Sequence, residues 1–268
     1  MTYTTPTGAA RWNHQHWWLT LAAPMLSFQR RCSCSNCVNC AQGHPWLRIE
    51  HEDSGTYRNM LERDWGITSY DDLHEILQSL ATCSMHGESL EEEYSHYACM
   101  TPAAWQQFCN QGQDPVYQGL LRFVGLSAPY TGRAGIRGFD LARGAYMTRA
   151  GLACGLLSQE EFEFLHSYMA LRAKGMFDSW HQYTLSMFFG RIYWGWSTQD
   201  DASTPRRVEE LLAGECPVRE NIRLSMQRIA AEPECPMHFV PWDGIELPDL
   251  DLPASMRARE ERAQEAQA

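Results

Sequence analysis

Apolar residues recur along this chain at intervals of three and four. No stretch alternates apolar and polar residues with the period of two that a half-buried strand requires. In SYDDLHEILQSLA, Leu73, Ile76, Leu77 and Leu80 fall at i, i+3, i+4 and i+7 and form one apolar face. Ser69 stands where an N-cap belongs, and Asp71 and Asp72 suit the positive end of the helix dipole. Ser158 and Glu161 have capping-box spacing ahead of FEFLHSYMALRAKGMF, with Gly175 near its end. Thr101-Pro102 sets a cap and a first-turn proline in the order that opens another helix.

This punctuation predicts an all-α fold. Helices are expected over 11–30 with a bend near Pro24, after Ser69, after Pro102, over about 139–153, after Ser158, and from Asp178 or Ser179. Two short ones are expected at 205–213 and 218–231. Residues 41–66 read as irregular, with Gly43, Pro45 and Gly55, and 125–138 read as a loop, with Gly125, Pro129, Gly132, Gly135 and Gly138. The expected organisation is a single helical domain of roughly eight helices over 11–242, carrying an irregular Cys-rich loop at 32–60. The Pro-rich and charged end, 243–268, reads as a solvated tail or frayed helix.

Charge narrows the function classes. Lys and Arg number 22 and Asp and Glu 33, a net charge of −11, which opposes binding to nucleic acid or to an anionic membrane surface. No run of about 18 apolar residues is present, so no membrane insertion is expected. The N-terminus, MTYTTPTGAARWNHQHWW, lacks the order of a secretory signal. A cytoplasmic location is the default expectation, and export by a route without a cleaved signal would leave the same sequence.

Familiar catalytic signatures are missing: there is no P-loop and no G-x-S-x-G elbow. HEILQ, from His74, has Gln78 where a zinc-protease helix needs its second His. Gly132, Gly135 and Gly138 do not make G-x-G-x-x-G. His14 and His16 are i, i+2 and point to different sides of a helix, and Glu88, Glu91, Glu92 and Glu93 read as a solvated face. The strongest local oddity is CSCSNCVNC. Its Cys32, Cys34, Cys37 and Cys40, with His44 nearby, have thiolate chemistry suited to zinc or to reversible oxidation. Four donors from one tight loop strain a tetrahedron, so a reduced solvated loop is the simpler reading, and no cofactor beyond a possible zinc is expected.

The block 135–195 carries the most chemistry. Asp140 and Arg143 are i, i+3 on one helix. Trp180, Thr184, Met187, Arg191 and Trp194 line one stripe of another, which sets Arg191 among apolar neighbours with Asp140 as its natural partner. Ser179, Ser186 and Gly190 lie on the adjacent stripe.

The same block resembles a bacterial family known only as domain of unknown function 1266. Gly135, Ile136, Phe139, Asp140 and Arg143 match its first element, and Gly155, Ser158, Glu160 and Glu161 its second. Phe177, Ser179, Trp180, Ser186, Gly190, Arg191 and Trp194 match the third. DWGITSYDDLHEILQSL, CPMHFVPW at 235–242 and HWWLTLAAPMLS resemble flanking pieces, so the likeness covers most of 16–242. Gly138 and Cys235 stand where the family has Ala and Ser, and CSCSNCVNC lies outside its pattern. The resemblance implies an all-helical bacterial domain and no known reaction.

Two readings of the block stay open. Asp140, Arg143 and Arg191 either form a buried network that fixes helix register, or line a polar pocket with Ser179 and Ser186, where Arg binds an anion and Asp moves a proton. An Asp beside Arg is a poor base, since the cation favours the carboxylate. The leading expectation is therefore a protein that acts by binding a protein partner, an immunity or adaptor protein of a secreted-toxin system. Trp180, Ser186 and Trp194 are pocket or partner residues in that reading. The alternatives are a toxin or effector enzyme using Asp140, Arg143, Ser179 and Arg191, and a zinc or redox sensor using the four cysteines.

Overall fold

The computed structural model describes residues 12–28, 46–47, 54–111, 114–197 and 217–267. The described residues form twelve α-helices and two 3-10 turns, with no strand among them. In chain order these are α1 (His14–Thr20), α2 (Ala23–Leu26), α3 (Ser54–Trp65), α4 (Tyr70–Thr82), α5 (Glu91–Cys99) and α6 (Pro102–Gln111). They continue with α7 (Pro115–Thr131), α8 (Arg137–Ala153), α9 (Gln159–Met176), α10 (Trp180–Ser197), α11 (Pro217–Ala231) and α12 (Ala254–Gln267). The 3-10 turns are Gly132–Ala134 and Pro236–His238. Caps read from sequence are in place: Ser69 accepts from the Asp72 N–H and Ser158 from the Glu161 N–H, each in a reciprocal capping box. The bend near Pro24 is the break between α1 and α2.

The fold is organised around α8, which packs against α3, α4, α9 and α10. A surface helix keeps a polar face, whereas α8 buries nearly every residue, including Asp140, Arg143 and Arg149. Such a helix needs close neighbours on all sides. On one side Gly138 faces α10: a Cβ there would sit 2.8 Å from the Ser186 hydroxyl and the Tyr183 carbonyl. Gly190 of α10 reciprocates, because a Cβ there would lie 2.3 Å from the Cβ of Phe139. Alanine is worth about 1 kcal/mol over glycine in a helix. Overpacking a rigid contact costs about 1–3 kcal/mol and more when backbones must part. The overlap wins, so Gly190→Ala is expected to lower stability by about 2 kcal/mol, read as an earlier urea midpoint at unchanged slope.

Three expectations are corrected. Helix α3 occupies much of the stretch expected to be irregular at 41–66 and the end of the 32–60 loop. Its Leu61 is fully buried, and Tyr57, Met60 and Trp65 pack on the core, which outweighs one glycine in its first turn. The expected loop at 125–138 is instead the end of α7, the 3-10 turn and the start of α8, with Pro129 inside α7. A helical proline costs about 3 kcal/mol. Burial of Leu121, Phe123 and Val124 at about 1.5–3 kcal/mol each exceeds that, and Pro129 sits on the exposed side. The C-terminal segment is docked rather than loose: Ser255 donates to Glu161 Oε1 at 2.7 Å, and Arg259 Nε to Asp71 Oδ1 at 2.7 Å.

Candidate functional site

Asp140 lies in the first turn of α8, and its side chain has no exposure to solvent. Its carboxylate reaches the turn that follows α4. That turn begins at Cys83, which ends α4 in the left-handed conformation, with φ of 66°. The backbone N–H groups of His86 and Gly87 both donate to Oδ2 of Asp140 at 2.8 Å. Arg143 Nη2 donates to Oδ1 at 2.5 Å. The same Nη2 donates to Nδ1 of His86 at 2.9 Å. The guanidinium carbon lies 3.9 Å from the Phe139 ring centroid and 5.5 Å from that of Trp65. Arg143 Nε is buried with no hydrogen-bond partner.

The electrostatics fix the protons. A guanidinium only donates, so Nδ1 of His86 accepts and the ring proton sits on Nε2. Burial, and then the Arg143 charge, hold His86 below its ordinary pKa, with Asp140 pulling the other way. Burial likewise lowers Arg143, Asp140 opposes this, and nearby Arg191 adds repulsion. The Asp140 carboxylate has donors on both oxygens and no exposure to solvent, so it clamps the 83–90 turn to α8. Burial pushes the neighbouring Cys83 thiol up to about 12, which removes a thiolate nucleophile at neutral pH.

The other residues singled out from sequence do not converge on this clamp. Arg191 does not pair with Asp140. Its guanidinium stacks over Trp194 at 4.5 Å and lies 6.0 Å from the Phe28 ring, half-buried. Ser179 accepts from the Gln182 N–H at 3.1 Å and so caps α10. Ser186 donates to the Gly135 carbonyl at 2.6 Å and accepts from the Gly138 N–H at 2.9 Å, pinning the start of α8. Trp180 packs 4.6 Å from Trp17 and 4.7 Å from Trp242, with its indole N–H on the Val240 carbonyl at 2.8 Å. Cys32, Cys34, Cys37, Cys40 and His44 lie outside the described residues. Among the described residues no group of three or more His, Cys, Asp or Glu is placed to hold a metal ion. None of their helices is long and apolar enough to cross a membrane. Sequence reasoning gave no site role to His86 or Trp65: Trp65 lies in the DWGITSYDDLHEILQSL piece that resembles the family but was not linked to Arg143, and His86 carries no periodic or motif signal.

A second feature lies on the outer face of α7. Val116, Leu126 and Tyr130 are exposed on one side of that helix, Tyr130 by 57 %. Tyr130 stacks on Phe189 of α10, with centroids 6.1 Å apart. Tyr117, at the N-terminal end, has its phenol raised above the ordinary value by burial first and then by the nearby carboxylates of Glu93 and Glu92 of α5. Glu91, also exposed, pairs with Arg137 at 3.1 Å.

The family model described as a protein of unknown function, DUF1266, matches residues 60–242. Two uncharacterized proteins of Escherichia coli K12 are similar to this chain. YbeU is 28% identical over 193 residues, covering 66% of this chain and 80% of YbeU. YbeR is 30% identical over 141 residues, covering 53% of this chain and 59% of YbeR. No solved structure matches. The matched span takes in the Asp140–Arg143 clamp, α8, α9, α10 and the Trp242 packing around them, and the chain belongs to the DUF1266 family.

Proposed function

We propose that this protein acts by binding another protein, as an immunity or adaptor component of a secreted-toxin system. The observation that carries the reading is the outer face of α7, where Leu126 and Tyr130 stand exposed, Tyr130 stacks on Phe189, and Tyr117 at the N-terminal end lies by Glu92 and Glu93 of α5. Exposed aromatic and aliphatic side chains gathered on one helix face suit the centre of an interface, and carboxylates suit its rim. The net charge of −11 and the acidic residues of α5 select a basic partner surface. A satisfied, water-excluded Asp140 supports packing rather than catalysis at the clamp.

The test is affinity for a partner recovered from the native host. A Leu126→Glu, Tyr130→Ala double variant is expected to keep the wild-type thermal midpoint and to bind about thirtyfold more weakly, the equivalent of losing one ~2 kcal/mol hot spot. The wild-type complex is expected to weaken with salt and to suppress the partner's toxicity in a naive bacterium. Equal binding by the double variant would sink the assignment of this face. Toxicity of the wild-type chain itself, abolished in a folded Asp140→Ala variant, would favour the effector enzyme instead.

A further inference from the structure

Residues 252–260 lie over α4 and α9, beyond the family-matched span, and form one side of a cavity of about 200 Å³. Phe164 and Tyr168 of α9, His74 of α4, and Leu252 and Met256 of the C-terminal segment line it. In α12, ASMRAREERAQEAQ, Met256 is the one large apolar side chain. A helix polar on nearly every side gains little from docking. Arg259 holds Asp71, through Nε at 2.7 Å to the carboxylate and Nη2 at 3.1 Å to the carbonyl, but Asp71 is exposed and such a pair contributes little. The remaining polar tie is the Ser255 hydroxyl on Glu161 Oε1 at 2.7 Å.

That tie ends on a buried charge with a waiting competitor. Glu161 Oε1 accepts from both Tyr70 and Ser255, which fills its two lone pairs, and Oε2 accepts from the Ser158 N–H at 2.8 Å. Nε2 of His74 lies 3.8 Å from the same Oε1, buried and without a hydrogen-bond partner, with its ring 4.1 Å from that of Tyr70. The charged groups facing His74 come from three helices. Burial holds its pKa below 6.5, Glu161 of α9 and Asp71 of α4 oppose this, and Arg259 of α12 adds repulsion. Glu260 of α12 also lines the cavity. Burial opposes the charge of Glu161, yet hydrogen bonds from Tyr70, Ser158 and Ser255 hold its pKa below the ordinary value, so it stays ionised where histidines titrate.

We propose that α12 is a pH-sensitive latch: a proton taken up by His74 pairs its imidazolium with Glu161, displaces Ser255, and releases α12 from α4 and α9, opening the cavity. Undocking removes the Arg259 charge, admits water to the ring and frees a lone pair on Glu161, and each change favours the protonated imidazole. The undocked state therefore binds the proton more tightly. Docking is at full strength above pH 6.5 and is lost as the pH falls below it, by up to about tenfold in the undocked-to-docked ratio per pH unit. The latch stands apart from the α7 face and does not depend on the protein-binding reading.

The experiment is a pH titration of the full chain by NMR, from 7.5 to 5, with its twelve methionine methyls labelled. The Met256 methyl, assigned through Met256→Leu, shares the cavity with the rings of Phe164 and Tyr168 and so reports docking. It is expected to move toward its unfolded-chain position as the pH falls, while the fully buried Met147, Met169 and Met187 stay in place. His74→Gln is expected to keep Met256 docked down to pH 5. Ser255→Ala, an exposed change that leaves the core untouched, is expected to raise the undocked fraction at every pH and keep the pH dependence. Three outcomes would overturn the proposal: a Met256 methyl that does not move in the wild type, one that moves together with the three buried methyls, or an unchanged pH dependence in His74→Gln.

Discussion

Replacing Asp140 by alanine is expected to destabilise the folded chain by about 3–5 kcal/mol, the typical cost of breaking a buried ion pair from one side. The change strands the Arg143 guanidinium, which is 6 % exposed, with His86 as its remaining hydrogen-bond partner. It also leaves the N–H groups of His86 and Gly87 without their acceptor. Asp140→Asn keeps an acceptor for those groups and loses the charge, so its cost is expected to be smaller, about 2 kcal/mol. Removing both charges in Asp140→Ala, Arg143→Met is expected to recover much of the loss, because no uncompensated ion then remains in the core. Denaturant unfolding of the three variants checks the order. An Asp140→Ala protein within about 0.5 kcal/mol of wild type would show that the clamp contributes nothing to folding, and would reopen a chemical role for the carboxylate.

Acid is expected to unfold the chain well above the range set by its carboxylates. His166 of α9 is fully buried, bonded through Nδ1 to the Phe162 carbonyl at 3.1 Å, with no partner at Nε2. Burial lowers its pKa from 6.5 to about 3. Above pH 6.5 the ring is neutral in both states, and its contribution is constant. Below pH 6.5 the unfolded chain takes up a proton that the folded chain refuses until about pH 3, so stability falls across that window. The slope is about 1.4 kcal/mol per pH unit for one such group, or roughly 5 kcal/mol across the whole interval. His16, His74 and His86 are lowered too, chiefly by burial, and add with the same sign. Urea midpoints at pH 7.5, 6, 5 and 4 measure the loss. His166→Leu is expected to flatten the curve by about one proton. Parallel curves for the two proteins would mean that His166 is not the group responsible.

Helix existence was legible wherever the signal is local. Ser69 and Ser158 cap helices within their own turns, and Asp140 and Arg143 meet because i, i+3 residues on a helix must. The stripe on α10 correctly set Arg191 among apolar side chains, but its partner was not legible. Asp140, the partner expected from spacing, is taken by Arg143 and by two backbone groups from a turn more than fifty residues away, and the Arg191 cation stacks on Trp194 three residues along its own helix.

What the sequence by itself determined is the set of short-range choices: an all-helical chain, most helix starts, and the Asp140–Arg143 pair. These rest on interactions between residues at most four apart, which spacing specifies. Only the tertiary structure decided the rest. Burial carried α7 through Pro129, docked α3 and α12 on the core, brought His86 to Arg143, and left a cavity behind His74. Each of those outcomes depends on free energy gained between residues distant in the chain, and such contacts leave no period or spacing in the sequence.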